Sequence, residues 1–305
     1  MELIYEGVNI TREVQIVSAV CTDVSGGRSD SLDLVLDQAA SWYMWKPRRD
    51  DRIELTCDGY STGTMYLGAI APEGGRFRIL ATAAKTAARR KRSGSYEGKT
   101  LEDILRLCAG ECGMEHRIYG LDGRMLYPYL QRQETGAAAF LEKIGMWEGA
   151  VLKTYSGRFT MIGLQEAQRL PAAETISISA KQEGVCYQRR NQERMRNMTV
   201  RTPFCRVSAT DTAAEKGYDR TISFLPARDP ATAGRWARGM LLSQNRKAER
   251  LTIESEFHSG WTAMERIDIV GETDANGKWV IDETVHDFVN RKSRVTLLRC
   301  VETVV

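Results

Sequence analysis

The stretch ARRKRSGSYEGKTLEDILRLCAGECG, residues 88–113, divides the chain into parts that follow different periods. It opens with four basic residues at 89–92. Thr100 then precedes Asp103 by three positions, the spacing of an N-cap and its reciprocal partner. Leu101, Ile104, Leu105 and Cys108 fall at i, i+3, i+4 and i+7, and Gly113 supplies a stop. These signals predict one amphipathic helix. Three roles are open to the stretch: a phosphate-binding patch, a metal site on Cys108, Cys112 and His116, or a connector between packed elements.

Upstream, residues 13–82 alternate with period two. SLDLVLD puts Leu32, Leu34 and Leu36 on one face, and RIELTC sets Ile53 and Leu55 against Arg52 and Glu54. Two further strands flank Gly74-Gly75. Residues 1–90 are thus expected to form an antiparallel sheet that curls or closes. Downstream, a second helix is predicted from Thr135 to Gly145, followed by a hairpin turning at Ser156-Gly157. Residues 91–170 therefore read as a small α+β unit. Strands return after Pro171 with TISISA (175–180) and a long basic segment. A helix at about 229–247 has Asp229 as N-cap, Pro230 at its first position, and Ala233, Trp236, Ala237, Met240 and Leu241 on one face. The last strands include a hairpin at Asn276-Gly277. Residues 171–305 read as a second β-domain carrying that one helix.

Composition narrows the function classes. With 305 residues, 42% hydrophobic and 27% charged, the chain can bury more than one core. Its 43 Lys and Arg against 40 Asp and Glu leave a net charge of +3, too little for the global electrostatics of a dedicated nucleic-acid binder. No apolar run approaches the roughly 18 residues needed to span a bilayer, so a soluble chain made in a cytoplasm is expected. Seven scattered cysteines suit small buried hydrophobes in a reducing compartment better than a disulfide framework.

Cys108, Cys112 and His116 are spaced to share one helix face, but Gly113 should end the helix before His116, and a fourth zinc ligand is not nearby. The two thiols are expected in a core and no metal or other cofactor is expected. Arg189, Arg190, Arg194, Arg196, Arg201 and Arg206 form a second basic stretch opposed only by Glu193, suited to a protein interface as well as to phosphate. Catalytic signals are weak. None of His116, His258 and His286 sits in a recognisable catalytic motif, and carboxylates such as Glu142 and Glu148 lack the partners of a glycosidase. His286, on the strand face of Val280 and Phe288 and opposite Trp279 and Ile281, is expected to be structural. No catalytic, cofactor-binding or metal-binding residue is assigned.

Taken together, three segments carry a resemblance. They are ARRKRSGSYEGKTLEDILRLCAGECGM (88–114), PYLQRQETGAAAFLEKIGMWEGAVLKTYSGRFTMIG (128–163) and ERIDIVGETDANGKWVIDETVHDFVNRKSRVTLLRCV (265–301). Across about residues 85–305 the chain resembles the late control protein D family of tailed phages, including its Tyr96-x-Gly-Lys-Thr-Leu helix start and the Val285-His286 step in its last hairpin. It is similar also to the hub part of type VI secretion spike proteins. The resemblance implies an α+β, mainly β chain with two tube-like antiparallel β-barrel domains and an intervening small α+β unit. It further implies a non-enzymatic baseplate hub of a phage tail or phage-derived contractile particle. Such a hub is a homotrimer joining a hexameric tail tube to a trimeric central spike, touching other baseplate proteins and the tape measure protein. It would sit in the virion tail baseplate after assembly in the host cytoplasm, without membrane or sequence-specific nucleic-acid contacts. The competing classes are a tail-associated cell-wall hydrolase, for which the chain is expected to leave no room beyond its last strand, and a nucleic-acid-binding phage protein resting on the two basic stretches.

Overall fold

The structure, a computed structural model, describes residues 1–37, 44–179, 182–271 and 273–305. It is α+β and mainly β, as the alternation implies. Where period two is clean the strands are clean: Ser31–Asp37 buries every second residue, and Met65–Glu73 and Arg76–Thr82 turn at Gly74 and Gly75, both with positive φ. The strand expected over 175–180 runs as Glu174–Ser177, and Ala180 lies outside the described residues.

Fourteen strands from both ends of the chain form one sheet. Its order is Val185–Arg189, Glu249–Glu256, Lys292–Arg299, Gly277–Asp287, Gln15–Val24, Ser31–Asp37, Arg76–Thr82, Met65–Glu73, Arg52–Cys57, Glu2–Tyr5 and Val8–Asn9. Short strands add at the side, Tyr60–Ser61 on Arg52–Cys57 and Arg266–Val270 on Gly277–Asp287, with Glu174–Ser177 parallel to Arg266–Val270. The seam between the two halves is Gly277–Asp287. One of its edges pairs with Lys292–Arg299. The other edge changes partner midway: Gly277 to Val280 pair with Arg266–Val270, whereas Glu283 to Asp287 pair with Gln15–Val24.

A β-bulge between Ile281 and Glu283 makes this exchange possible, because one extra residue bends the strand and resets its alternation. Trp279 and Ile281 enter a core with Leu251, Ile253, Ile267, Ile269, Val295 and Leu297. Phe288, beyond the bulge, enters a different core with Leu3, Ala19, Leu34, Ile53, Leu55 and Phe77. Residues from Glu2–Tyr5 and from Gln15–Val24 meet in that core although the strands lie far apart in sheet order, so the sheet curls around it. The bulge also corrects the reading of His286. Unbroken alternation sets it opposite Trp279 and Ile281, but after the extra residue it is buried as they are.

The helices α1 (Leu101–Glu111), α2 (Ala137–Glu148), α3 (Leu164–Arg169) and α4 (Pro230–Asn245) cover the middle of the structure. Helix α1 begins with the reciprocal Thr100 and Asp103 pair and buries Leu101, Ile104, Leu105 and Cys108. Helix α2 continues past Gly145 to a left-handed Gly149. Gly145 packs rather than stops: a Cβ there would stand 3.0 Å from Met161 Sδ and 3.1 Å from the Ala150 carbonyl oxygen. The Ser156-Gly157 hairpin forms as predicted, with both residues at positive φ. At the last hairpin the strand starts on Gly277 itself, so the turn lies before it, and Trp279 Nε1 donates to the Ala275 carbonyl at 2.8 Å.

One core joins α1, α2, the ribbon of Arg92–Thr100 with Leu126–Thr135, and the sheet of Glu115–Tyr119, Arg158–Gly163 and Ala150–Tyr155. The same core includes α4 and a three-stranded sheet, with Met195–Arg201 between Arg206–Thr210 and Tyr218–Ser223. Thus residues 195–223 and α4 pack on the middle of the chain. Trp236 of α4 lies 4.9 Å, centroid to centroid, from Trp147 of α2.

Candidate assembly interface

One face of the 14-stranded sheet lies on the cores, and the other is open over its middle, where Ser18, Val20, Thr22, Asp33, Val35, Arg76, Arg78, Leu80, Val285 and Asp287 contribute to it. Toward the other end of Gly277–Asp287 that face is covered, with Val280 packed against Leu164 and Ala167 of α3. Depressions of about 540, 570 and 590 Å³ follow one another along the open part, and two of them share Asp33 while two share Val20. Ion pairs brace the face internally: Arg78 meets Asp33 at 3.0 and 2.6 Å, and Arg28 meets Glu283 across the seam. Such exposed pairs set orientation more than they stabilise.

Buried charges fasten the middle of the chain to the sheet. Lys153 is only 14% exposed; its ammonium donates to Asp23, to Asp30 at 3.2 Å and to the Val24 carbonyl at 3.1 Å. Asp23 accepts from the Ala263 amide at 2.9 Å and Asp30 from the Val24 amide at 3.0 Å. Burial by itself would lower the Lys153 pKa, but Asp23 and Asp30 outweigh it and raise it. Burial raises the Asp30 pKa to about 7, with Lys153 partly offsetting that rise. Close by, Arg246 donates to Asp282 at 2.8 Å and Ser25 at 3.1 Å, reaching the residue inside the bulge. Glu148 accepts from Tyr127 Oη and Trp236 Nε1, both at 2.7 Å, and from Arg235 Nε at 2.6 Å, tying α2 to α4. These carboxylates are held by buried donors, an arrangement that locks elements together.

The residues singled out from the sequence lie apart from one another. Cys108 is fully buried with its sulfur 3.5 Å from Tyr96 Oη, and Cys112 is buried beside α1; burial raises both thiol pKa values, that of Cys112 to about 11. His116 leaves on the next strand and meets Glu102 Oε1 at 3.0 Å. Among the described residues no group of three His, Cys, Asp or Glu is placed to hold a metal ion. His286 is fully buried, with Nδ1 2.8 Å from Ser293 Oγ and Nε2 3.1 Å from the Trp261 carbonyl oxygen. The carbonyl can only accept, so Nε2 carries the proton and Nδ1 accepts from Ser293. Burial lowers the His286 pKa.

The basic run at 89–92 forms an exposed turn into the strand Arg92–Thr100, and its backbone helps to bind Arg132. That arginine, 2% exposed, donates to the Thr135 carbonyl at 2.7 Å, to Glu111 at 2.8 Å and to the Arg90 carbonyl at 3.5 Å. The sequence reading missed Arg132; its signal is a strand position two after the buried Leu130. In the second basic stretch, Arg190 pairs with Glu193, Arg194 with Asp211 and Arg196 with Asp219.

Among the described residues no helix is long and apolar enough to cross a membrane. No protein-family model and no curated protein matches the sequence. Solved structures do match the fold. The prophage MuSo2 43 kDa tail protein from Shewanella oneidensis aligns with a TM-score of 0.73 at 12% identity, covering 98% of each chain. A tail protein from Neisseria meningitidis MC58 aligns with a TM-score of 0.75 at 12% identity over 98% of this chain and 95% of that one. The E. coli c3393 protein, described as a type VI secretion component structurally similar to bacteriophage T4 tail proteins gp27 and gp5, aligns with a TM-score of 0.58 at 7% identity over 99% of this chain and 77% of that one. The chain thus shares its fold with phage tail proteins and with a type VI secretion component.

Proposed function

We propose that this chain is a structural, non-enzymatic hub of a phage tail or phage-derived contractile particle. In this reading it belongs with the late control protein D family and acts as a homotrimer that joins the hexameric tail tube to the trimeric spike in the virion tail baseplate. Residues 1–90 and 171–305 supply two tube-like β-units, and residues 91–170 connect them. The observation that carries the reading is the single sheet shared by the two β-units across Gly277–Asp287. A pair of similar units joined side by side is the repeat from which three chains build a sixfold-like ring. Among the described residues, the sheet's outermost strands, Val185–Arg189 at one end and Val8–Asn9 at the other, each pair on one side only. Exposed strand edges favour pairing with a neighbour, and closed symmetry satisfies every such edge at once. The shared fold with tail proteins supports the same role. Assembly would occur in the host cytoplasm, with other baseplate proteins and the tape measure protein as further partners.

Imaging of particles purified from the producing strain tests this. Three copies at the end of the tube are expected, with near-sixfold density on the tube side and threefold density on the spike side. Six copies, a place on the outer sheath, or absence from the particle would overturn the proposal.

A further inference from the structure

The small sheet packed under α4 ends in an unusual pair of side chains. Arg201 pairs in register with Arg206 on one side and Ser223 on the other, so the turn at 202–205 and the chain leaving Ser223 emerge at the same end. Phe204 in that turn is 68% exposed, and Phe224, next after Ser223, is 97% exposed. Phe224 also has φ 69°, a left-handed conformation that is a genuine outlier for a bulky residue. Hydrophobic burial within the chain accounts for neither ring. Two exposed arginines frame them, and among the described residues Arg201 and Arg206 have no carboxylate within ion-pair distance, unlike Arg196 in the same sheet and Arg194 just before it.

We infer that Phe204 and Phe224, flanked by Arg201 and Arg206, form a docking knob for a different protein of the same assembly, one that offers an apolar socket rimmed by carboxylates. Aromatic side chains and arginine are the residues that concentrate binding energy at protein interfaces, and aromatic rings do so at little entropic cost. The unpaired guanidinium groups set the sign of the partner. A two-fold contact between copies of this chain would bring arginine against arginine, which rules out that pairing, while a head-to-tail contact with a second copy in the ring is the outcome the adduct distinguishes. The neighbouring Arg194 and Arg196 are neutralised by Asp211 and Asp219, so no continuous basic track leads from the rings for a nucleic-acid backbone to follow, which argues for protein. The inference rests on the proposed tail role for the identity of the assembly.

The test uses particles from the producing strain with a photo-reactive phenylalanine analogue at position 204 or 224. Irradiation should yield an adduct with a second particle protein, at an apolar position with Asp or Glu nearby. Phe204→Ser with Phe224→Ser, and separately Arg201→Glu with Arg206→Glu, should reduce incorporation of the chain into particles by about tenfold or more. Their melting temperatures should match the unmodified protein. Phe224→Gly, which relaxes the left-handed backbone, should melt no lower and still lose incorporation. An adduct with a second copy, an adduct with DNA, no adduct, or normal incorporation of the variants would each overturn the knob. Absence of the unmodified chain from particles would instead overturn the tail role, so the two failures are distinguishable.

Discussion

At the scale of single residues, Lys153 shows how one charge can hold three parts of the chain. It comes from the middle of the sequence, Asp23 and Asp30 come from the N-terminal strands, and Asp23 also binds the amide of Ala263. Lys153→Met would leave two buried carboxylates without their cation. Breaking a buried pair from one side costs about 3–5 kcal/mol, so denaturant unfolding at pH 7 should show a loss of that order. The pH dependence follows from the direction of the shifts. A carboxyl whose folded pKa lies above its unfolded one loses stability as pH rises between the two, and Asp30 is already at about 7 with Lys153 present. The penalty of Lys153→Met should therefore shrink as pH falls from 7 toward 4. A cost that stays constant or grows over that range would contradict the account. None of this was legible in the sequence. Lys153 sits in an ordinary alternating strand, and its partners are about 130 and 123 residues away in the chain.

At the scale of elements, local signals were read where the residues that make them are close in sequence. Thr100 and Asp103 cap α1 as their spacing implies, Asp229 and Pro230 begin α4, and Gly74-Gly75 and Ser156-Gly157 turn their hairpins. Gly145 misleads for a physical reason, since a glycine can stop a helix or let another backbone approach it. Gly145 does the second within α2, and Gly239 does it within α4. A Cβ on Gly239 would stand 2.1 Å from the Trp147 carbonyl oxygen and 2.4 Å from the Gly149 amide nitrogen. Gly239→Ala sets two effects against each other. Helix propensity favours alanine by about 1 kcal/mol, while overpacking typically costs about 1–3 kcal/mol and here the obstacle is backbone, which cannot swing away. The overlap should win, with a net loss of about 2 kcal/mol in urea unfolding. Gly234→Ala in the same helix meets Val207 Cγ1 at 3.3 Å, a side-chain contact that can yield, and should change stability by less than about 1 kcal/mol. Equal effects at the two glycines would show that the α2–α4 contact is not close-packed.

At the scale of the whole molecule, the seam at Gly277–Asp287 makes the two β-rich ends of the chain one mechanical unit. Ladder pairs from Glu283 to Asp287 join it to Gln15–Val24, and Arg246 and Lys153 brace the joint with buried charge. Native-state hydrogen exchange should give similar opening free energies for amides in Gln15–Val24 and in Lys292–Arg299, and denaturant should unfold both in one transition. Two well-separated transitions would mean that the halves fold independently. The sequence by itself determined the strands with clean alternation, the caps and first turns of α1 and α4, the burial of Cys108, and the mainly β class, because each depends on periodicity or on contacts a few residues apart. Tertiary structure alone decided that the β-rich ends share a sheet, that residues 195–223 and α4 pack on the middle, and that Phe204 and Phe224 come to one sheet end. Those outcomes depend on which distant edges and faces meet, and a single bulged residue, Asp282, is enough to hand a strand from one partner and one core to another without altering the pattern that precedes it.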